Sequence, residues 1–206
     1  IRDVAVEHDL LLLTDEIYEY ILHDGREHVS PGSIEGLGDR TVTISGLSKT
    51  YSVTGWRLAY AVAPEAIAGA IRKTHDFLTV GAPHPLQEAG AEALRMPASY
   101  YEKLREDYGR RRAALLGVLR EAGLLCFEPE GAYYVMTDVR SLLPEASREE
   151  LASFAFRLVD EIGLAGVPGT SFYRNRADGA PYLRFTFSKK DATLEGARAR
   201  LARLKR

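Results

Sequence analysis

A continuous apolar run, Leu10 to Leu13, constrains the fold of this chain more than any other feature. It does not alternate with polar residues, so it predicts a strand covered on both faces, as in a parallel sheet. Val42 to Ser45 predicts a second strand, and Leu58 to Ala63 a third, closed by Pro64, which suits the first turn of a helix. In open α/β sheets, ligands collect beyond the carboxyl ends of the strands. Asp15-Glu16-Ile17-Tyr18 follows the first run. The second ends in a small polar loop, Ser45-Gly46-Leu47-Ser48, then Lys49, with Arg57 eight residues later after Gly55-Trp56. A lysine on a loop at the end of a buried strand can be an amine nucleophile. An arginine folded back beside it can hold a phosphate. Taken singly, each has a plainer reading as a turn acid or a solvated base.

The pattern along the chain predicts two domains, with the boundary near Met96-Pro97. Ile1, Val4 and Ala5 are spaced like the inner face of a helix already under way, which predicts a chain that begins inside one. Gly and Pro between residues 23 and 40 predict an irregular connection. Ile67, Ala70, Ile71, Phe77 and Leu78 make one face of a helix after Pro64, and a short helix is expected from Leu86 to Arg95. Ser99 is placed to cap a long helix with the stripe Tyr101, Leu104, Tyr108, Leu115 and Leu119, ended by Gly123. Arg110 to Arg112 read as its wet face. Strands are expected at Leu124–Phe127, Ala132–Val139, Leu164–Val167 and Tyr182–Phe187. Ser147 and Glu150 form a capping box for a helix carrying Leu151, Phe154, Leu158 and Ile162, ended by Gly163. Asp191 is placed to cap a last helix bearing Leu194, Ala197, Leu201 and Leu204.

Composition narrows the function. A chain of 206 residues suits one large or two small domains. A formal charge of −2 gives no electrostatic case for nucleic acid or an anionic membrane, and no apolar run approaches membrane-spanning length. The lone Cys126 forms no intramolecular disulfide, suits a reducing, cytoplasmic compartment, and reads as a small buried hydrophobe. His8, His23, His28, His75 and His84 show no metal-ligand spacing, so no metal is expected.

The string from Thr41 to Tyr60, together with Asp15 and Tyr18, resembles the cofactor-lysine motif of the class I/II aminotransferases, the pyridoxal-phosphate enzymes of fold type I. In that family S-x-S-K is followed by G-W-R, and D-x-x-Y stands some three dozen residues before the lysine; here Asp15 and Lys49 are 34 apart. The resemblance implies an α/β chain: the remainder of a large domain with a mainly parallel sheet (1–96), then an α+β small domain (97–206). It implies that roughly the first half of the family polypeptide is absent. Lys49 would bond the aldehyde of pyridoxal 5′-phosphate and move a proton at the substrate Cα. Asp15 would pair, as a buried carboxylate, with the pyridine nitrogen, Tyr18 with the 3′ oxygen, and Arg57 with the phosphate, assisted by Ser45. The family serine three residues before the lysine is Gly46 here, a departure that bears on the phosphate contact. Arg184 matches the arginine that grips the substrate α-carboxylate as a bidentate pair. Tyr133 and the run Pro168 to Tyr173 resemble segments near the substrate mouth and read equally as packing and turn. Phe185 to Lys190 leans toward the kynurenine, glutamine and methionine branch. Amino acid and 2-oxo acid substrates and a homodimer are implied. A carbon–sulfur lyase of the same fold, or an aminotransferase-like ligand-binding domain of a regulator, is compatible with the same residues.

Overall fold

The computed structural model describes residues 1–143 and 148–205. The chain divides into two compact units, Ile1–Leu104 and Arg105–Arg206. The first unit opens with α1 (Arg2–Glu7) and β1 (Leu12–Asp15). β1 pairs in parallel with β2 (Thr41–Gly46), Asp15 beside Ile44. β2 pairs antiparallel with β3 (Ala59–Val62), Gly46 opposite Ala59, so the sheet order is β1-β2-β3. The segment between β1 and β2 is irregular, with two 3₁₀ turns at Pro31–Ser33 and Gly38–Arg40, as its turn residues predict. Between β2 and β3 lie one helical turn, α2 (Leu47–Thr50), and a 3₁₀ turn, Thr54–Trp56. Then come α3 (Glu65–Thr79), α4 (His84–Leu94) and the first residues of α5 (Ala98–Glu121).

Several expectations for this unit need correction. The first strand is shifted two residues, and Leu13 is 72% exposed rather than covered. β1 is an edge strand here, and among the described residues no layer covers its Leu13 side. Ala5 is buried, but Ile1 and Val4 of the expected inner face are exposed. The apolar stripe of α3 forms as a helix and stays open, Phe77 being 94% exposed. α4 starts at His84, because Pro85 fits the first turn, where no N–H is needed. Ser99 lies inside α5 instead of capping it.

The second unit is an antiparallel sheet of β4 (Leu125–Phe127), β5 (Tyr134–Asp138), β6 (Val167–Pro168) and β7 (Tyr182–Thr186), in the order β4-β5-β7-β6. Its helices are the rest of α5, α6 (Arg148–Arg157) with a π-helical turn over Leu158–Ile162, and α7 (Asp191–Leu201). Period-2 alternation sends Val135, Thr137, Leu183 and Phe185 to the buried side. Tyr108, Leu115 and Leu119 on α5, Leu151, Phe154, Leu158 and Ile162, and Leu194, Ala197 and Leu201 on α7 are buried as their periodicity predicts. Gly123 and Gly163 follow their helices with positive φ.

Here too some residues differ from expectation. Arg112 is buried and pairs with Glu128, so it is not on the wet face; Arg110 is exposed and pairs with Asp191. Asp191 is the first residue of α7, and its carboxylate accepts from Arg110 instead of capping the helix. The third strand of this sheet is Val167–Pro168, shorter and later than expected. Cys126 is half-buried. Ser147 of the expected capping box lies outside the described residues, and nothing is described of the Leu204 side chain.

Two 3₁₀ turns, Gly169–Ser171 and Arg176–Gly179, meet backbone against backbone. A Cβ on Gly179 would stand 2.5 Å from the Gly169 carbonyl oxygen, and one on Gly169 would stand 2.5 Å from that of Gly179. Gly179→Ala is therefore expected to destabilise the unit by about 1–3 kcal/mol. Gly117→Ala, in α5 with open space around it, should stabilise by roughly 0.5–1 kcal/mol. Denaturant midpoints of the two variants check both signs.

Candidate active site

The register of the first sheet gathers the chemistry at one end. Asp15 is the last residue of β1, and the Glu16 N–H donates to the Ile44 carbonyl at 2.7 Å. β2 ends two residues further on, at Gly46, and the chain coils at once into α2. Lys49 therefore stands on a helical turn, not on the loop expected. The return strand closes the arrangement: the Leu47 N–H donates to the Leu58 carbonyl at 3.2 Å, and Gly46 faces Ala59. Arg57 directly precedes that contact and so comes back beside the start of α2. A carboxylate, a primary amine and a guanidinium share one edge of one sheet.

Lys49 is half-buried. Asp15 is exposed, and its Oδ1 accepts from the Ile17 N–H at 3.2 Å. Tyr18 is half-buried in the turn after β1. Arg57 is exposed with φ 53°, in the left-handed region. A non-glycine residue there carries local strain, of a kind that concentrates at functional sites. Its guanidinium donates to the Thr54 carbonyl at 3.2 Å and makes no other hydrogen bond or ion pair among the described residues. It is available to an anion.

Ser45 is placed differently. Ile44 shares the Asp15 side of the sheet, so Ser45 points to the opposite face. It is buried there, donating to Glu19 Oε1 at 2.6 Å. Gly46, where the family motif has serine, leaves little room for a side chain: a Cβ would meet the Leu58 carbonyl at 3.0 Å and Ala59 at 3.1 Å. The close approach of β3 thus goes with the missing hydroxyl.

The turn that carries Lys49 is gripped on two sides. Tyr100 at the start of α5 donates to the Thr50 carbonyl at 2.8 Å, and its ring stacks on Tyr51 at 5.5 Å. The Tyr51 and Tyr101 hydroxyls lie 2.7 Å apart, and burial pushes the Tyr51 phenol well above its ordinary pKa. On the other side Leu47 and Leu58 pack against α4 at Gly90, where a Cβ would meet Leu58 at 2.9 Å.

Sequence reasoning did not find the network on the opposite face. Glu16 is buried and accepts from Thr14 at 2.6 Å and Ser30 at 2.9 Å, and pairs with His28 at 2.6 Å. Beside it lies a cavity of about 460 Å³ lined by Glu16, Glu19, Ser45 and Tyr60. Burial works against the Glu16 charge, but the bonds from His28, Thr14 and Ser30 outweigh it and hold the carboxyl below its ordinary pKa. The course of the chain after β1 and the β1–β2 pairing together bring these residues into one place.

In the second unit Arg184 is half-buried on β7, on the side away from Leu183 and Phe185. Its guanidinium carbon lies 4.0 Å from the Tyr134 ring centre and 4.1 Å from that of Phe172. Among the described residues it has no hydrogen-bond or ion-pair partner. Tyr133, by contrast, is buried and stacks on Tyr108 at 5.8 Å, which is packing. The alternation of β5 places Tyr134, not Tyr133, on the Arg184 face.

The family model for aminotransferase class I and II matches residues 1–201. The chain is 34% identical to a kynurenine–oxoglutarate transaminase of Dictyostelium discoideum over 224 residues, covering all of this chain and 52% of that protein. It is 36% identical to an aspartate aminotransferase of Pyrococcus abyssi over 211 residues, covering all of this chain and 51% of that one. The solved structure of N-succinyldiaminopimelate aminotransferase from Mycobacterium tuberculosis superposes with a TM-score of 0.91 at 30% identity, over 98% of this chain and 52% of that one. The chain spans about half the length of the curated relatives it matches.

The Glu16 network has a defined pH dependence. In the unfolded chain a glutamate takes up its proton at about pH 4.3, whereas in the folded chain Glu16 does so lower. The stabilisation is therefore complete above the unfolded value and is lost as pH falls through the folded one. Asp138, held low by Arg140, adds to the same acid limb. Thermal midpoints between pH 7 and 3 should fall less steeply in Glu16→Gln than in the parent; parallel curves would contradict this.

Proposed function

The chain belongs to the class I and II aminotransferases, and on that premise we propose that the protein transfers an amino group from an amino acid to a 2-oxo acid through pyridoxal 5′-phosphate. The observation that carries this reading is the convergence of Asp15, Lys49 and Arg57 at one sheet edge. An acid, an amine and a guanidinium with unengaged donors suit a phosphorylated pyridine aldehyde, so the residues present fit the cofactor. Lys49 would hold its aldehyde carbon, Asp15 its ring nitrogen, Tyr18 its 3′ oxygen and Arg57 its phosphate. When bound, the cofactor supplies a ring that accepts the electron pair of the substrate Cα. The chain's own part is narrower. Lys49 moves the proton at the substrate Cα, since a primary amine on a flexible stem can reach and release it. Arg57 neutralises phosphate charge, and the return of β3 fixes where it stands. Arg184 grips the substrate carboxylate, its planar fork having no acidic partner among the described residues.

In this reading residues 1–96 are the end of the cofactor-binding large domain and 97–206 the small domain. Donor and acceptor are an α-amino acid and a 2-oxo acid. The protein acts as a homodimer, for which the exposed Phe77, Leu78 and Val80 offer apolar surface to bury. The lone cysteine suits a reducing cytoplasm. No described helix is long and apolar enough to cross a membrane.

Amino-group transfer measured with the protein carrying its cofactor tests the assignment. Lys49→Ala should lower kcat by about 10²–10⁴-fold or more. Arg184→Lys should raise KM for the amino acid about tenfold or more while cofactor content stays level, because an ammonium cannot reproduce the bidentate grip. An unchanged rate in the first, or an unchanged KM in the second, would overturn that residue's role.

A further inference from the structure

We propose that Tyr134 and Phe172 are positioning residues that hold the Arg184 guanidinium ready for a carboxylate; the proposal rests on the reading of Arg184 given above. Each ring centre lies about 4 Å from the same guanidinium carbon, at 4.0 Å for Tyr134 and 4.1 Å for Phe172. Both rings lie within cation–π reach of the one guanidinium and flank it. Aromatic faces attract a guanidinium through their quadrupole and cover its flat surfaces. The donors left over are the N–H groups around its edge, and these are the ones a carboxylate meets in plane.

The rings come from separate places, which marks the pair as a product of the fold. Tyr134 begins β5, and pairing with β7 sets it opposite Thr186, two residues from Arg184 on the same face. Phe172 follows the 3₁₀ turn Gly169–Ser171, the turn pressed against Gly179 with no room for a side chain. Phe172 is 44% exposed, so the core does not explain its position. An arginine most often gains its orientation from an acid, which would also compete for its donors. Arg184 has none among the described residues, and rings orient it without occupying its edge.

The test measures steady-state amino-group transfer and binding of hexanoate, a carboxylate that cannot be transaminated, to the protein carrying its cofactor. Phe172→Leu keeps apolar volume and removes the quadrupole. It should raise KM for the amino acid and weaken hexanoate binding by roughly three- to tenfold, with kcat changed much less. Phe172→Tyr, which keeps a ring, should recover most of that affinity; recovery separates a ring effect from a disturbed fold. Arg184→Lys is measured beside them. If it weakens carboxylate binding and Phe172→Leu does not, the positioning role is overturned and the carboxylate grip stands. If neither variant changes KM or hexanoate binding, the carboxylate reading falls and the positioning role with it. If Phe172→Tyr is as weak as Phe172→Leu, the effect is not due to the ring and the proposal is overturned.

Discussion

The antiparallel return of β3 onto the end of β2 is the constraint on which the first unit's site depends. A parallel neighbour would leave Arg57 at the far end of a crossover. Because Gly46 faces Ala59 and Leu47 bonds Leu58, the chain has only Lys49 to Arg57 in which to turn. The helical turn α2 and the left-handed Arg57 absorb that reversal. Gly46 belongs to the same constraint: the strands approach too closely at this point for a side chain to sit without displacing Leu58 or Ala59. The local strain, the unusual glycine and the placement of lysine beside arginine are thus one arrangement.

The second unit solves a different problem, presenting a cation without neutralising it. Its sheet has one buried face and one face bearing Phe127, Tyr134, Tyr182 and Arg184. Several guanidiniums of this unit are paired with acids: Arg112 with Glu128, Arg110 with Asp191 and Arg140 with Asp138. Arg184 has no such pair among the described residues and is flanked by two rings instead. A guanidinium whose edge donors are not taken by an acid keeps them open to a carboxylate.

Much of this was legible in the sequence, for identifiable reasons. Where periodicity reports burial within one unit, as on β7 and at Tyr108, Leu115 and Leu119 of α5, expected and observed burial agree, because local alternation and tertiary packing ask for the same pattern. Motif spacing singled out Asp15, Lys49 and Arg57, and strand pairing brings them to the same end of the sheet. Apolar pattern failed as a guide to burial at Leu13 and Phe77, where the element forms but nothing among the described residues covers it. Pairings between distant segments were not legible. Glu16 with His28 and Ser30, Arg112 with Glu128, and Tyr134 with Phe172 around Arg184 all depend on strand register and loop course, which no local window contains. Ser45 shows the limit most clearly: it is adjacent in sequence to the site, yet pleating turns its hydroxyl to the other face, toward Glu19.

The central claim is that the amine at the end of β2 is the reactive one. Treatment with pyridoxal phosphate, reduction with borohydride and peptide mass mapping test it directly. A pyridoxyl-phosphate mass gain confined to the peptide containing Lys49, and absent in Lys49→Ala, is the predicted result. A gain spread over Lys73, Lys103 and Lys189, unaffected by Lys49→Ala, would contradict it.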